Sequence, residues 1–538
     1  MTRAWESERL LLVQFASDLE KRPPLPSAQP AELEEHARQI AHMQDLLGLV
    51  AALPKESRPP VAAWDDVLGP LWRRLFAKGD DIDRYILADL WRRVLLDTGE
   101  VKRFLRACSA VAASARNFYR FQEALEVCAE ARAVAKGDPS GALANLINTE
   151  GSVFLCQERY EDAERCFLES FDMANRLHEE EIIKWIGASK IDFQAQEYIN
   201  IVDTYLRKGY EASPSERARG AKRARVFVDE LARLPCSPGF RRMIDTNEAE
   251  LDILEGRIEE GKARLQQQVL SPHQEGPYHF SLVAVHGRLL SVVATFEGDW
   301  KGAYHWIRLS LKEGINYTYP AEDHFVIEQA VKVLRGLHAA RDESSYENLV
   351  QDMAKLLEDK DWYTGRPHSR NVSSLAVKLG EALNASCGAA LDIDELRAAG
   401  LLHDIGKLRI GWSLLNKIAP ITPKELTILR DHAAYGGDLL RKMGMDNIAA
   451  IVGQHHETMD GMGYPAGKPP DLKAAVLGVC DVYEASISPN RRYKDPKSPV
   501  TALAELVGGS GKRYHPDVVN ALIEVVYREA APFEDSEA

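Results

Sequence analysis

A chain of 538 residues is too long for one ordinary hydrophobic core, so two or three domains are expected. Hydrophobic residues make up 45% and charged residues 28%, a balance that fits a folded globular protein and excludes extended disorder. The formal net charge of -14, from 67 basic and 81 acidic residues, excludes bulk association with nucleic acid or an anionic membrane. A phosphate ligand would therefore be held by local cations or metal ions.

No apolar run approaches the ~20 residues that a membrane-spanning helix needs. The opening residues 1–8 lack the apolar stretch of a signal peptide. The seven cysteines, at 108, 128, 156, 166, 236, 387 and 480, form no CxxC pair. They read as buried thiols of a reducing compartment, which makes a cytoplasmic location the expectation.

Almost every stretch before residue 360 carries helical periodicity and almost none alternates like a strand, so an all-α fold is expected. Residues 1–100 hold amphipathic segments such as Ala31–Leu53 and Ile82–Leu96, separated by the proline-rich breaks Pro23–Pro26 and Pro54–Pro60. No chemistry-bearing pattern falls there. Residues 101–345 carry an internal repeat. Its clearest copy is Asn148–Ala174, with Gly151, Phe154, Tyr160, Ala163, Phe167 and Ala174 in order. Small residues let paired helices approach and aromatics fill the gaps between hairpins. Weaker copies lie at Phe121–Ala131, Gly256–Leu265 and Gly298–Leu311. The pattern resembles the tetratricopeptide repeat, which stacks helical hairpins into a solenoid. Some copies are spaced by roughly forty residues, more than the standard repeat. Such a scaffold implies a protein or peptide partner, or a second copy of the chain as a homodimer. Residues 346–361 read as a connector helix, and residues 530–538 as an acidic tail.

The chemistry is concentrated after residue 361. His368, His403 beside Asp404, His432, the doublet His455–His456, and Asp481 fall in helices or at their edges. The run Leu396–Leu402 places His403 and Asp404 at a helix C-terminus closed by Gly406. Thr422-Pro423-Lys424-Glu425 is a capping box that opens the helix of His432. His455 and His456 would finish a helix Asn447–Glu457, and Asp481 would lie inside a helix Lys473–Ser486. Alone, each is more economically a capping, core or surface residue. Together, imidazoles with carboxylates suit Mn, Fe or Zn better than Ca or Mg, and they are too many for one ion. A pair of metals about 3.5–4 Å apart can activate water and clamp the attacking and leaving oxygens of a phosphodiester.

The segment His455-His456-Glu457-Thr458-Met459-Asp460-Gly461-Met462-Gly463-Tyr464-Pro465 decides between these readings. It resembles the signature of the HD-GYP phosphodiesterase family, in which HHE, two residues, DG, one residue and GYP follow in order. With His403–Lys407 and Asp481 the resemblance covers about residues 362–529. It implies an HD-type catalytic helical bundle after the solenoid, and a binuclear site of two divalent transition ions. Fe or Mn come first, with Zn, Ni or Co as alternatives. His368, His403, Asp404 and Asp481 would hold one ion. Asp404 would bridge to the second, held by His432, His455 and His456. Asp404 and Lys407 would be the catalytic residues, with Lys407 at the scissile phosphate. Tyr464 and Pro465 would shape the loop over the substrate, and Arg491 and Lys494 would hold its phosphates.

The implied substrate is a cyclic dinucleotide, cyclic di-GMP first, linearised to pGpG or taken on to GMP. The alternatives are another cyclic dinucleotide, or a receptor that binds one without hydrolysis. Three positions depart from the family pattern. Thr364 stands where some members have an extra glutamate ligand, which argues against a third metal. Asn371 replaces a common arginine, and Glu484 a common aspartate.

Overall fold

The computed structural model of the chain describes residues 2–21, 30–77, 80–137, 139–270, 282–314, 320–361, 368–417, 420–488 and 496–530. Among these residues the fold is all-α, with no strand and a single isolated bridge between Ser510 and Tyr514. The chain divides into two compact units, Met1–Gln329 with Lys417–Pro420, and Ala330–Asn416 with Ile421–Ala538. The division falls inside a helix, and the helix read as a connector lies in the second unit.

The first unit contains α1 (Thr2–Lys21), α2 (Pro30–Ala52), α3 (Val61–Ala77), α4 (Asp81–Leu95), α5 (Val101–Asn117), α6 (Phe121–Ala135), α7 (Gly141–Cys156) and α8 (Tyr160–Arg176). It continues with α9 (Glu179–Ile186), α10 (Lys190–Glu211), α11 (Pro214–Arg233), α12 (Pro238–Leu254), α13 (Ile258–Leu270), α14 (Leu282–Glu297) and α15 (Trp300–Gly314). Helix α16 (Pro320–Ala339) crosses the division. Consecutive helices pair as hairpins, α5 with α6, α7 with α8, α10 with α11, α12 with α13 and α14 with α15.

One turn recurs between consecutive helices. Tyr119, Glu158, Gly256, Gly298 and Arg341 take positive φ two residues before the second helix. The next residue donates its N–H to a carbonyl five positions back, as in Arg120 to Ala115, Arg159 to Phe154 and Arg257 to Asp252. A left-handed residue here closes the last turn of the first helix and reverses the chain. Three of the five are not glycine and so accept the cost of that conformation. This is why no periodic glycine marks the repeat in the sequence. In the clearest copy, a methyl group on Gly151 would lie 2.7 Å from the Phe167 ring, so only glycine permits this approach of α7 to α8. Ala163, Phe167 and Ala174 are fully buried on that contact. A short helix, α9, stands between α8 and α10 and interrupts the succession of hairpins.

The second unit contains α17 (Glu343–Lys360), α18 (His368–Cys387), α19 (Ile393–Leu402), α20 (Trp412–Leu415), α21 (Pro423–Lys442), α22 (Asp446–Gly453), α23 (Leu472–Ile487), α24 (Pro499–Gly508) and α25 (Pro516–Ala530). Helices α18, α19, α21, α22 and α23 pack on one another. They bury Leu379, Leu396, Leu439, Val452 and Val476, each burial contributing about 1.5–3 kcal/mol before entropy is set against it. Among the described residues no helix is long and apolar enough to cross a membrane.

Candidate metal centre

Five segments of the second unit converge on one buried cluster. Helix α19 is opened by Asp392, whose carboxylate accepts from the N–H groups of Asp394 and Glu395, and it ends on His403. Asp404 then turns the chain into a short 3-10 segment, Ile405–Arg409. The expected closure of α19 by Gly406 does not occur, because Gly406 lacks the positive φ of a helix C-cap. Its role is contact. A methyl group there would lie 1.9 Å from the His432 carbonyl oxygen and 2.5 Å from the Gly436 nitrogen, so the 3-10 segment lies backbone-to-backbone on α21.

The capping box that opens α21 is formed. The Thr422 hydroxyl accepts from Glu425 N–H, and the Glu425 carboxylate accepts from Thr422 N–H at 2.8 Å. The doublet lies differently from its expected place. Helix α22 ends at Gly453, and His455 and His456 stand in the turn beyond it. Asp481 lies within α23 as expected, and His368 begins α18.

The imidazoles share an orientation. Nδ1–H of His403 donates to the Gly400 carbonyl at 2.9 Å, that of His432 to Leu429 at 2.6 Å, and that of His455 to Val452 at 2.6 Å. Nδ1 of His368 is held by the Glu484 carboxylate, which also accepts from Asn371 at 3.0 Å. Each of these rings therefore turns Nε2 inward, and an outer partner fixes which nitrogen is left to bind a cation. His368 Nε2 lies 3.2 Å from Asp481 Oδ1, and His403 Nε2 lies 3.2 Å from Asp404 Oδ2. His432 Nε2 lies 3.4 Å from both Asp404 Oδ1 and His455 Nε2. Asp404 thus faces His403 with one oxygen and His432 with the other.

Two sets of possible ligand atoms are compact, His368 with His403 and Asp481, and His432 with His455 and His456, each within 4.8 Å. The Nε2 atoms of His368 and His403 are buried without a hydrogen-bond partner. Burial, with His432 and His403 beside it, pushes His455 down to about 3. Burial and the neighbouring His455 and His432 hold His456 well below its ordinary value, and burial lowers His432. Burial works against ionisation of Asp404, but Lys407 and His403 hold it well below the carboxylate range. Burial likewise opposes ionisation of Asp481, which contact with His368 and the charge of His403 overcome. Burial opposes the charge of His368, but contact with Asp481 and Glu484 raises it to about 10, so a metal would take the place of its proton. The neutral lone pairs of His432, His455 and His456 beside the ionised Asp404 repel one another in a dry site unless a cation lies between them. This donor set fits a divalent transition metal.

Residues 351–518 match the HD domain family. Relatives of the HD segment include a cyclic di-GMP phosphodiesterase of Thermotoga maritima, 31% identical over 192 residues, covering 34% of this chain and 51% of that one. A 3'3'-cGAMP-specific phosphodiesterase of Vibrio cholerae is 30% identical over 182 residues, covering 33% of this chain and 34% of that one. A cyclic di-GMP phosphodiesterase of Pseudomonas aeruginosa is 33% identical over 177 residues, covering 32% of this chain and 41% of that one. This chain spans about half the length of the first and less of the others.

The remaining expected residues of the HD segment divide. Lys407 joins the cluster, its ammonium 2.7 Å from Asp404 Oδ2. Burial opposes its charge, yet Asp361 and Asp404 hold it above the ordinary lysine value. The Tyr464 ring lies 4.7 Å from His456, and Pro465, joined to Tyr464 by a cis peptide bond, is exposed. Glu457 ties this loop down, its carboxylate accepting from the N–H groups of Ala466, Gly467 and Lys468. Arg491, Lys494 and Thr364 lie outside the described residues.

Two acids went unassigned by sequence. Glu484 orients His368, and Asp361 reaches Lys407 at 2.9 Å. Asp361 has a signal of its own, being a carboxylate at a helix C-terminus, where the helix dipole disfavours it. A further His/Asp group in the first unit, His36 with Asp80 and Asp83, is accounted for by capping. Asp80 caps α4 and pairs with His36 at 2.6 Å.

Proposed function

We propose that the protein is a metal-dependent phosphodiesterase that hydrolyses a cyclic dinucleotide, cyclic di-GMP to pGpG or GMP. The observation that carries this reading is the position of Asp404, whose two oxygens face His403 and His432 and so join two sets of inward-turned imidazoles. His368, His403, Asp404 and Asp481 would hold one divalent ion, and Asp404, His432, His455 and His456 a second, with Fe or Mn favoured over Zn, Ni or Co. When bound, such a pair supplies a water acidic enough to attack phosphorus and neutralises charge on the phosphoryl oxygens.

The residues of the chain do the rest. The outer hydrogen bonds at Nδ1 keep the imidazoles in the tautomer that presents Nε2, so no proton need leave Nδ1 on loading. The Lys407 ammonium stands at the edge of the cluster as a fixed positive charge for the phosphate, and can protonate or stabilise the leaving oxygen. Tyr464 and Pro465 border the site, and Arg491 and Lys494 would take the phosphate oxygens. The helical unit would bind a protein or peptide partner, or a second copy. A cytoplasmic setting is supported by the seven cysteines, none of which is joined in a disulfide.

The test is product analysis after incubating anaerobically purified protein, loaded with Mn or Fe, with cyclic di-GMP. Release of pGpG or GMP supports the reading, and no product from a protein carrying about two metals per chain refutes it for this substrate. The Vibrio cholerae relative favours a second substrate, 3'3'-cGAMP, which belongs in the same assay.

A further inference from the structure

Helix α17 ends on Lys360 and Asp361, both buried, at 3% and 2% exposure. Three polar contacts fasten this end to the segment that carries Lys407 and to the end of α20 just after it. Lys360 Nζ donates to the Leu408 carbonyl at 2.7 Å. Asn416 Nδ2 donates to the Lys360 carbonyl at 2.9 Å. Lys407 Nζ donates to Asp361 Oδ2 at 2.9 Å. An acid at this place is opposed twice, by burial and by the negative end of the helix dipole. It is tolerated where a cation is held against it, and Lys407 supplies one.

The reason for a second acid follows from what Asp404 must do. Asp404 Oδ2 is 2.7 Å from Lys407 Nζ and 3.2 Å from His403 Nε2, so the oxygen that anchors the lysine is also the one nearest the first set of imidazoles. An oxygen given to a cation is a poor anchor for an ammonium. The lysine side chain turns about four bonds, and with Asp404 engaged it would lose its fixed place unless another acceptor kept it. Asp361 is that acceptor and belongs to neither set of ligand atoms. We infer that Asp361 is a positioning residue for Lys407, keeping the ammonium beside the metal centre when Asp404 is committed to the metals. This rests on the phosphodiesterase reading for its consequence, while the pairing itself can be tested without turnover.

The experiment uses the full chain with Asp361→Asn, Asp361→Glu, Lys407→Met and the double variant Asp361→Asn/Lys407→Met. In Mn-loaded protein with cyclic di-GMP, Asp361→Asn keeps its metal content and its KM, while kcat falls about tenfold or more. Asp361→Glu recovers part of that loss, and the double variant turns over no more slowly than Lys407→Met alone. In metal-free protein the unfolding midpoints behave the same way, the double variant lying no lower than the less stable single. Wild-type kcat in Asp361→Asn overturns the inference, as does metal loss in that variant or additive effects in the midpoints. If the wild type hydrolyses no cyclic dinucleotide, the phosphodiesterase reading fails. The metal-free midpoints then still decide whether Asp361 holds Lys407.

Discussion

Replacing Gly406 with alanine tests whether the approach of the 3-10 segment to α21 sets the geometry of the metal centre. The new methyl group would start 1.9 Å from the His432 carbonyl oxygen and 2.5 Å from the Gly436 nitrogen. Ordinary contact is about 3.5 Å or more, so the segment must move by roughly 1.5 Å. Both obstacles are backbone, so no side chain can swing aside. Overpacking of this kind costs about 1–3 kcal/mol, and a backbone clash belongs at the upper end. At roughly 2–4 °C per kcal/mol for a unit of this size, the midpoint of the second unit should fall by about 6–12 °C. The same movement separates Asp404 from His432, now 3.4 Å apart, and carries Lys407 with it. A displacement of that order should lower kcat by about a hundredfold and weaken metal binding. Gly508→Ala is the control, since a methyl group there meets nothing within 4 Å and the site is the last residue of α24. It should leave the midpoint unchanged or slightly raised. Calorimetry with and without Mn, together with metal analysis and kcat, reads each quantity. A Gly406→Ala protein with wild-type midpoint and turnover would refute the reasoning.

Three other substitutions probe separate features. Asp404→Ala should reduce bound metal to less than one ion per chain and abolish hydrolysis; turnover retained in a metal-replete variant would remove the bridging role. Glu457→Ala withdraws the acceptor of three backbone N–H groups, so KM should rise by about tenfold and proteolysis within 458–468 should accelerate; an unchanged KM would mean the loop holds itself. Glu197 is fully buried in α10, with one oxygen accepting from Ser170 at 2.7 Å and the other unpartnered. Burial raises its carboxyl well above the ordinary 4.5, so the folded chain keeps a proton that the unfolded chain sheds. Stability of the first unit is therefore full below that value and falls as pH rises toward the folded one, by up to about 1.4 kcal/mol per pH unit. Glu197→Gln removes this slope, and its midpoint should match wild type near pH 4 and exceed it increasingly through pH 5–7. A gap that stays constant with pH would show that Glu197 is already ionised in the fold.

What could be read from the sequence, and what could not, follows from the range over which each feature is encoded. Local features were readable. The capping box Thr422–Glu425, the burial of Ala163 and Phe167 in one repeat, and the helix of Asp481 each depend on residues within a turn or two. The metal-site residues could be singled out by their joint order and spacing and by the motif His455–Pro465 that follows from them. The geometry in which their Nε2 atoms face one another was not encoded in that way. It depends on carbonyls three residues back, at Gly400, Leu429 and Val452, which any residue type supplies and which leave no trace in composition. Gly406 shows the opposite error. A glycine after an apolar helical run looks like a helix stop, and nothing local distinguishes it from a glycine required by another helix. Asp361 lies 46 residues from Lys407 and looks like one more charge on an exposed helix. Only its place at the C-terminal end of α17, against the dipole, marks it as an acid that needs a cation nearby. Residues placed against a local preference are therefore where a sequence such as this one still carries unread information about its site.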